Sequence, residues 1–116
     1  MIWRIRARSD FSRLAAEGQR ARAGVLWCTY LLDPPDTTPT QAPTRPRVAF
    51  AFGRAIGPAV VRNRLRRQVR AMLQAESSAA ALPAGMYLFG ARPGIESRSY
   101  TELQFDLTQL LRRVRG

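Results

Sequence analysis

Five arginines and one asparagine fall within nine residues, RNRLRRQVR at positions 62–70, shortly after the pair Gly57 and Pro58. Guanidinium groups at this density bind polyanions, since each planar fork matches a phosphate bidentately and can also stack on a base. RNA is the favoured polyanion. The chain carries 19 Lys+Arg against 8 Asp+Glu, a net charge of +11 and a pI near 11.7, so its surface field attracts nucleic acid. Every one of those cations is arginine, a bias that a GC-rich genome also produces but that suits RNA contact. A charge run is more often just the solvated face of an amphipathic helix. Such a face interleaves acids with its bases, and no Asp or Glu occurs between Gly53 and Ala75.

What is missing narrows the chemistry. The chain has no histidine and a single cysteine, Cys28, so imidazole acid–base catalysis is excluded and the usual zinc ligands are absent. The carboxylates Asp10, Glu17, Asp33, Asp36, Glu76, Glu96, Glu102 and Asp106 are scattered, and no two have the spacing of a two-metal nuclease site. Ser and Thr have neither histidine nor lysine to activate them, and no phosphate-cradling loop ending in lysine is present. No catalytic residue and no protein-held metal are therefore expected.

The elements that must position the arginines can be read from pattern. At ~100° per residue, a helix from Pro58 to about Ala75 places Val61, Leu65, Val69 and Met72 on one buried stripe. Asn63, Arg64, Arg66, Arg67 and Arg70 then face outward, with Arg62 on the border. Proline suits the first helical position, where its missing N–H costs nothing. Before this helix, Arg47–Gly53 alternates Val48, Phe50 and Phe52 with Ala49, Ala51 and Gly53, as a strand buried on one face does. Its other face is small enough either for another element to pack tightly against it or for a ligand backbone to come close.

Elsewhere, Ser9 caps a first helix containing Asp10, Phe11, Leu14 and Ala15 and stopped at Gly18. A basic stretch, Gln19–Arg22, leads into a strand over Val25–Leu32. The run DPPDTTPTQAPTRP, at about 33–46, predicts a flexible loop. After a Ser/Ala linker come a strand over Gly85–Arg92 and a final helix, opened by a Ser99–Glu102 capping box and carrying Leu103, Leu107, Leu110 and Val114. The order is helix, strand, strand, helix, strand, helix, with room for one more strand in the first half. With 116 residues this reads as one α+β domain, 1–116. Cys28 alone and the absence of a secretory pattern or of a run of about 18 apolar residues predict a reduced, cytoplasmic setting away from membranes.

The segment AVVRNRLRRQVR, preceded by FAFGRAIGP, resembles the protein component of bacterial ribonuclease P, whose helix reads AVxRNRxKRxxR after a glycine-containing turn. The resemblance spans nearly the whole chain. It includes the Asp10–Phe11 pair, a tyrosine-bearing strand at Tyr30, the strand from Val48, the segment Ala91–Arg92–Pro93 and the leucine-rich last helix.

The resemblance implies a two-layer α/β sandwich with a central sheet of about four strands and a left-handed βαβ crossover carrying the RNR helix. It implies a ribonucleoprotein endonuclease that removes the 5′ leader of precursor tRNA. Catalysis then belongs to the RNA, with Mg2+ held mainly by that RNA, and the protein is a monomer in the complex. Arg62, Asn63 and Arg64 with Arg66, Arg67 and Arg70, and Arg54 in the preceding turn, would contact the catalytic RNA. Phe11 and Tyr30 would meet the single-stranded leader in a cleft between the first helix and the sheet. The chain departs from the family at the turn, where GRAIGP replaces an S-K-K-x-G-N pattern, leaving Ala55 and Pro58 in place of a cation and an asparagine. Ala15 also replaces a frequent aromatic. Two other readings share the charge and size: a small structural RNA-binding protein or RNA chaperone, and a self-sufficient metal-dependent nuclease, the second disfavoured by the scattered carboxylates.

Overall fold

A computed structural model describes residues 3–5, 8–32, 46–80 and 85–115. Their elements are β1 (Trp3–Arg4), α1 (Arg8–Glu17), β2 (Gln19–Ala23), β3 (Leu26–Leu32), β4 (Pro46–Ala51), α2 (Ala59–Ala80), β5 (Gly85–Ala91) and α3 (Tyr100–Arg115). The strands form one mixed sheet in the order β1-β4-β5-β3-β2. β4 and β5 are parallel neighbours joined through α2, which is the crossover expected to carry the arginines.

The sheet holds the four or so strands expected, with a further two-residue strand at one edge. Gln19–Ala23, read as a basic lead-in, pairs along its whole length with β3. Its alternation of Arg20 and Arg22 with Ala21 and Ala23 is that of a strand with one buried face. Gly24, at φ 58, makes the tight turn between the two strands, a conformation that glycine adopts without a Cβ penalty. At the far edge, β1 adds two residues parallel to β4.

Pleating sorts the side chains onto two faces. Leu26, Cys28, Tyr30, Val48, Tyr87 and Phe89 point to one face, where Leu65, Val69, Met72 and Leu73 of α2 and Leu103, Leu107, Leu110, Leu111 and Val114 of α3 close the main core. On the other face α1 contributes Leu14, which packs with Ile5 and Met86 and borders Leu31, Ala49 and Leu88. The main core is thus the two-layer sandwich expected, and α1 adds a partial layer behind it.

Several element ends shift. Ser9 lies inside the first turn of α1 rather than capping it. α2 runs on to Ala80, because the Ala-, Ser- and Glu-containing run after Ala75 holds neither glycine nor proline to stop it. At Gly18, a Cβ would overlap the Leu14 carbonyl and stand 2.9 Å from Thr29 Cγ2, so glycine is required where the chain leaves α1 and runs close over β3. The Ser99–Glu102 box forms as read: the Ser99 N–H donates to Glu102 Oε1 at 2.9 Å and the Glu102 N–H donates to Ser99 Oγ at 3.1 Å. The proline-rich loop expected at about 33–46 lies, except for Pro46, outside the described residues.

Candidate nucleic-acid interface

The turn after β4 sets the start of α2. Arg54–Ile56 form one turn of 3-10 helix, with Ile56 buried and Arg54 exposed. Gly57 at φ 147 then redirects the chain, and the Pro58 carbonyl accepts the first helical bond from the Arg62 N–H at 3.1 Å. From there the apolar stripe dictates the arginines. Leu65, Val69, Met72 and Leu73 are buried and Val61 is partly so, which leaves Asn63, Arg64 and Arg67 exposed and Arg62, Arg66 and Arg70 half-buried at the flanks.

Three of these side chains are positioned by contacts. Arg66 donates from Nη1 to Asn63 Oδ1 at 2.9 Å, one helical turn apart. The Arg70 guanidinium lies 5.3 Å from the Phe50 ring centroid, and Phe50 is itself stacked 5.5 Å from Phe52 and 6.3 Å from Phe89. This cation–π contact ties the basic helix to the edge of the sheet. Arg62 Nε is buried and has no hydrogen-bond partner among the described residues, so a donor at the border of the basic face is left for a ligand to satisfy. Val60, Asn63, Arg66, Arg67 and Arg70 line a concave surface of about 460 Å³. The arrangement can hold a run of phosphates along α2. It offers no general acid or base.

Phe11 and Tyr30, expected together in one cleft, are not brought together. Phe11 sits on α1 and is 36% exposed. Tyr30 points through the other face of the sheet, 9% exposed, with its ring stacked 6.4 Å from Tyr87 and its hydroxyl donating to Gln19 Oε1 at 3.1 Å. A one-residue difference in register separates the two outcomes, since neighbours in a strand point to opposite faces. On β3 it is Trp27, Thr29 and Leu31 that share the face with α1.

Two further groups complete the electrostatic picture. Asp106 of α3 is buried beneath the β2–β3 turn, where a Cβ on Gly24 would overlap its carboxylate. It accepts from Arg98 Nη2 at 2.8 Å and faces the Val25 N–H at 3.5 Å, so this acid clamps the hairpin and is spent on structure. Cys28 is buried and its thiol is pushed up by desolvation, which makes it an inert core residue. The described residues hold no group of three or more His, Cys, Asp or Glu fit for a metal ion, and no described helix is long and apolar enough to cross a membrane.

The pattern reading missed a second basic cluster: Arg20, Arg22 and Arg92 around Trp27, on the α1 side of the sheet. The strict alternation Arg20-Ala21-Arg22-Ala23 was the available signal.

Comparison with known proteins agrees with this geometry. Residues 2–115 match the Ribonuclease P family. The chain is 36% identical over 114 residues to the ribonuclease P protein component of Thermobifida fusca, covering 96% of this chain and 75% of that one. Against the protein component of Acidothermus cellulolyticus it is 35% identical over 113 residues, covering 97% and 88%. In fold it is similar to the RNase P protein of Staphylococcus aureus, with a TM-score of 0.81, 18% identity and coverage of 97% and 94%. The Thermotoga maritima RNase P protein gives 0.78, 21% identity and coverage of 97% and 98%. With relatives above 30% identity along nearly its full length and a matching fold, this chain belongs to the ribonuclease P protein family.

Proposed function

We propose that the outward face of α2 is the surface that docks on the RNA subunit of ribonuclease P, that the assembled particle removes the 5′ leader of precursor tRNA, and that the cutting chemistry resides in the RNA. The observation that carries this reading is the acid-free arginine face of α2, seated on the core through Leu65, Val69, Met72 and Leu73. Asn63 orients Arg66, and Phe50 orients Arg70. Arg62, with an unpartnered buried Nε, and exposed Arg64 and Arg67 complete the contact set, and Arg54 extends it into the preceding turn. Partnership with an RNA subunit follows from the family. The Mg2+ of the holoenzyme is assigned to the RNA, as the family implies, and no step is routed through a protein-held ion. The protein acts as one copy per complex, in the cytoplasm.

Leader contact is assigned to the α1 side of the sheet, with Phe11 as the exposed ring there. Tyr30 supports that face only indirectly, from the core beneath it. The test is reconstitution with a bacterial ribonuclease P RNA. Added protein should raise cleavage of leader-bearing precursor tRNA, and the protein alone should cut nothing. Absence of stimulation would return the chain to the class of structural RNA-binding proteins, and cutting without RNA would make it a nuclease in its own right.

A further inference from the structure

Two surface rings of this protein are held in different ways. On the α1 side of the sheet, Trp27 lies over bare backbone at Gly90, where a Cβ would overlap the indole, and the Arg20 guanidinium stands 5.2 Å from its centroid. Phe105 of α3 has no such seat. It is 62% exposed, and among the described residues no ring or guanidinium stacks on it.

Helical geometry puts that ring at the crest of α3. Leu103, Leu107, Leu110, Leu111 and Val114 enter the core, and at ~100° per residue the positions opposite them are Thr101, Phe105 and Arg112, all exposed. Thr108 flanks this line, and its Oγ1 donates to the Gln104 carbonyl at 2.9 Å, so the hydroxyl is spent within the helix. Arg113, next to Arg112, is anchored by donating from Nη1 to the Arg22 carbonyl at 2.6 Å. No free acid opposes these cations. Glu102 is engaged by the Ser99 N–H and by Arg98, Asp106 is buried against Arg98, and no Asp or Glu follows Asp106 in the chain. Arginines in the last turns of a helix complement its dipole, and a lone exposed ring is ordinary on a surface. Neither accounts for a phenylalanine and an arginine in line on the one face of α3 that the fold leaves unused.

Charge and position decide what fits there. A second copy of a chain with net charge +11 is repelled, whereas a polyanion is drawn in. α2 and α3 touch and close the same core from the same side of the sheet. Packed helices run about 8–10 Å apart, so the outward face of α3 continues that of α2. A duplex keeps its bases stacked away from an aromatic ring, but an unpaired base meets one face to face.

We propose that the outward face of α3 is a second foothold for the RNA subunit, in which Phe105 stacks on an unpaired nucleotide and Arg112, with Arg113 beside it, grips a neighbouring phosphate. The foothold rests on the reading of α2 as the surface that docks this RNA. About 10 Å along the helix axis separates the ring from Arg112, so both contacts fall on one stretch of strand.

The test measures the affinity of the full chain for a bacterial ribonuclease P RNA, without precursor tRNA, over a range of salt. Phe105→Ala and Arg112→Ala should each weaken the complex about tenfold, the scale of one stacked base or one charged hydrogen bond. Arg112→Ala should also make the slope of log K against log salt shallower by about 0.7–0.9. Phe105→Ala should leave the slope alone, and Phe105→Trp should keep the affinity. Arg13→Ala, which removes one exposed charge from α1, should change nothing. In a second arm, a photoreactive ring at position 105 should crosslink to the RNA subunit in the assembled particle. Unchanged affinity for the Phe105 and Arg112 variants, while Arg64→Ala/Arg67→Ala weakens the complex, would overturn the foothold and keep the α2 reading. No binding by the unaltered chain would overturn both. Self-association that Phe105→Ala abolishes, with RNA affinity intact, would give the face to a second copy instead. Both α3 side chains are exposed, so Arg112→Ala and the crosslink decide the matter even if Phe105→Ala melts early.

Discussion

On one face of the sheet the arginines stand on a helix whose underside is locked into the core, whereas on the other they stand on the sheet itself and only α1 adds an apolar seam. Among the described residues the first face gathers nineteen buried side chains and the second three. The difference decides what fixes each basic surface. Along α2, orientation follows from the buried stripe, so six consecutive-turn positions are presented together. Along β2, β3 and β5 it follows from the pleat, which sends every second residue outward, and from one ring laid over one glycine. The orientation of a surface of the first kind is lost only when the core is lost. A surface of the second kind can be altered one residue at a time.

The sharpest way to break this comparison uses two aromatic residues that look alike in sequence. Tyr30→Ala, in the well-packed face beside Tyr87, should cost about 3–5 kcal/mol in denaturant unfolding. Phe11→Ala, at the exposed surface of α1, should cost under about 1 kcal/mol. Similar losses would mean that the α1 seam is as well packed as the main core.

Next in size is the double variant Arg64→Ala/Arg67→Ala. Both side chains are exposed, so stability should stay within about 0.5 kcal/mol. Affinity for the RNA subunit should fall by roughly 2–3 kcal/mol, and the slope of log K against log salt should become shallower by about 1.4–1.8. A weaker complex with an unchanged slope would show that these arginines act through shape and not through phosphate contact.

On the sheet side, Gly90→Ala should lift the indole from its seat and cost about 1–3 kcal/mol by overpacking. The quenching of Trp27 fluorescence by added single-stranded RNA should drop with it. A neutral effect on stability would place the ring elsewhere.

How much of this was legible follows the same division. The α2 surface was readable because helical periodicity is long and redundant: Val61, Leu65, Val69 and Met72 each repeat the same message, and one misplacement does not change the face. The Ser99–Glu102 box was readable for a similar reason, since its two residues carry a local pattern with its own geometry. The β3 face was not. Val25–Leu32 is apolar on both sides, because Leu26, Cys28 and Tyr30 enter one core while Trp27 and Leu31 meet the other side, so period-two reading had nothing to alternate against. Tyr30 could be assigned to a face only once the β2–β3 register was known. β2 was hidden for the opposite reason: Arg20 and Arg22 made a strand look like a charged linker, although the intervening alanines carried its pleat. The sheet-side cluster was also beyond reach of local pattern, since Gly90 of β5 and Arg92 just past its end lie more than sixty residues away from β2.

The smallest expected effect lies away from both basic surfaces, at the start of α3, and serves to bound them. The Glu102 carboxyl is held below its ordinary value near 4.5 by the Ser99 backbone N–H first, then by the Ser99 side chain and the Arg98 charge. A depressed carboxyl stabilises the fold above its ordinary value and loses that contribution as pH falls through the lowered one. Ser99→Ala removes the helix cap itself, whose Oγ accepts from the Glu102 N–H, and should cost about 1 kcal/mol. Glu102→Gln should flatten the decline of melting temperature on the acid side of pH 4.5 while leaving RNA affinity alone. Because α3 supplies core residues but no arginine of either surface except through packing, a change in RNA binding from either variant would show that the cap tunes the basic faces at a distance. The expected result is a stability change with an unaltered salt slope, which would show that the basic surfaces act independently of the α3 cap.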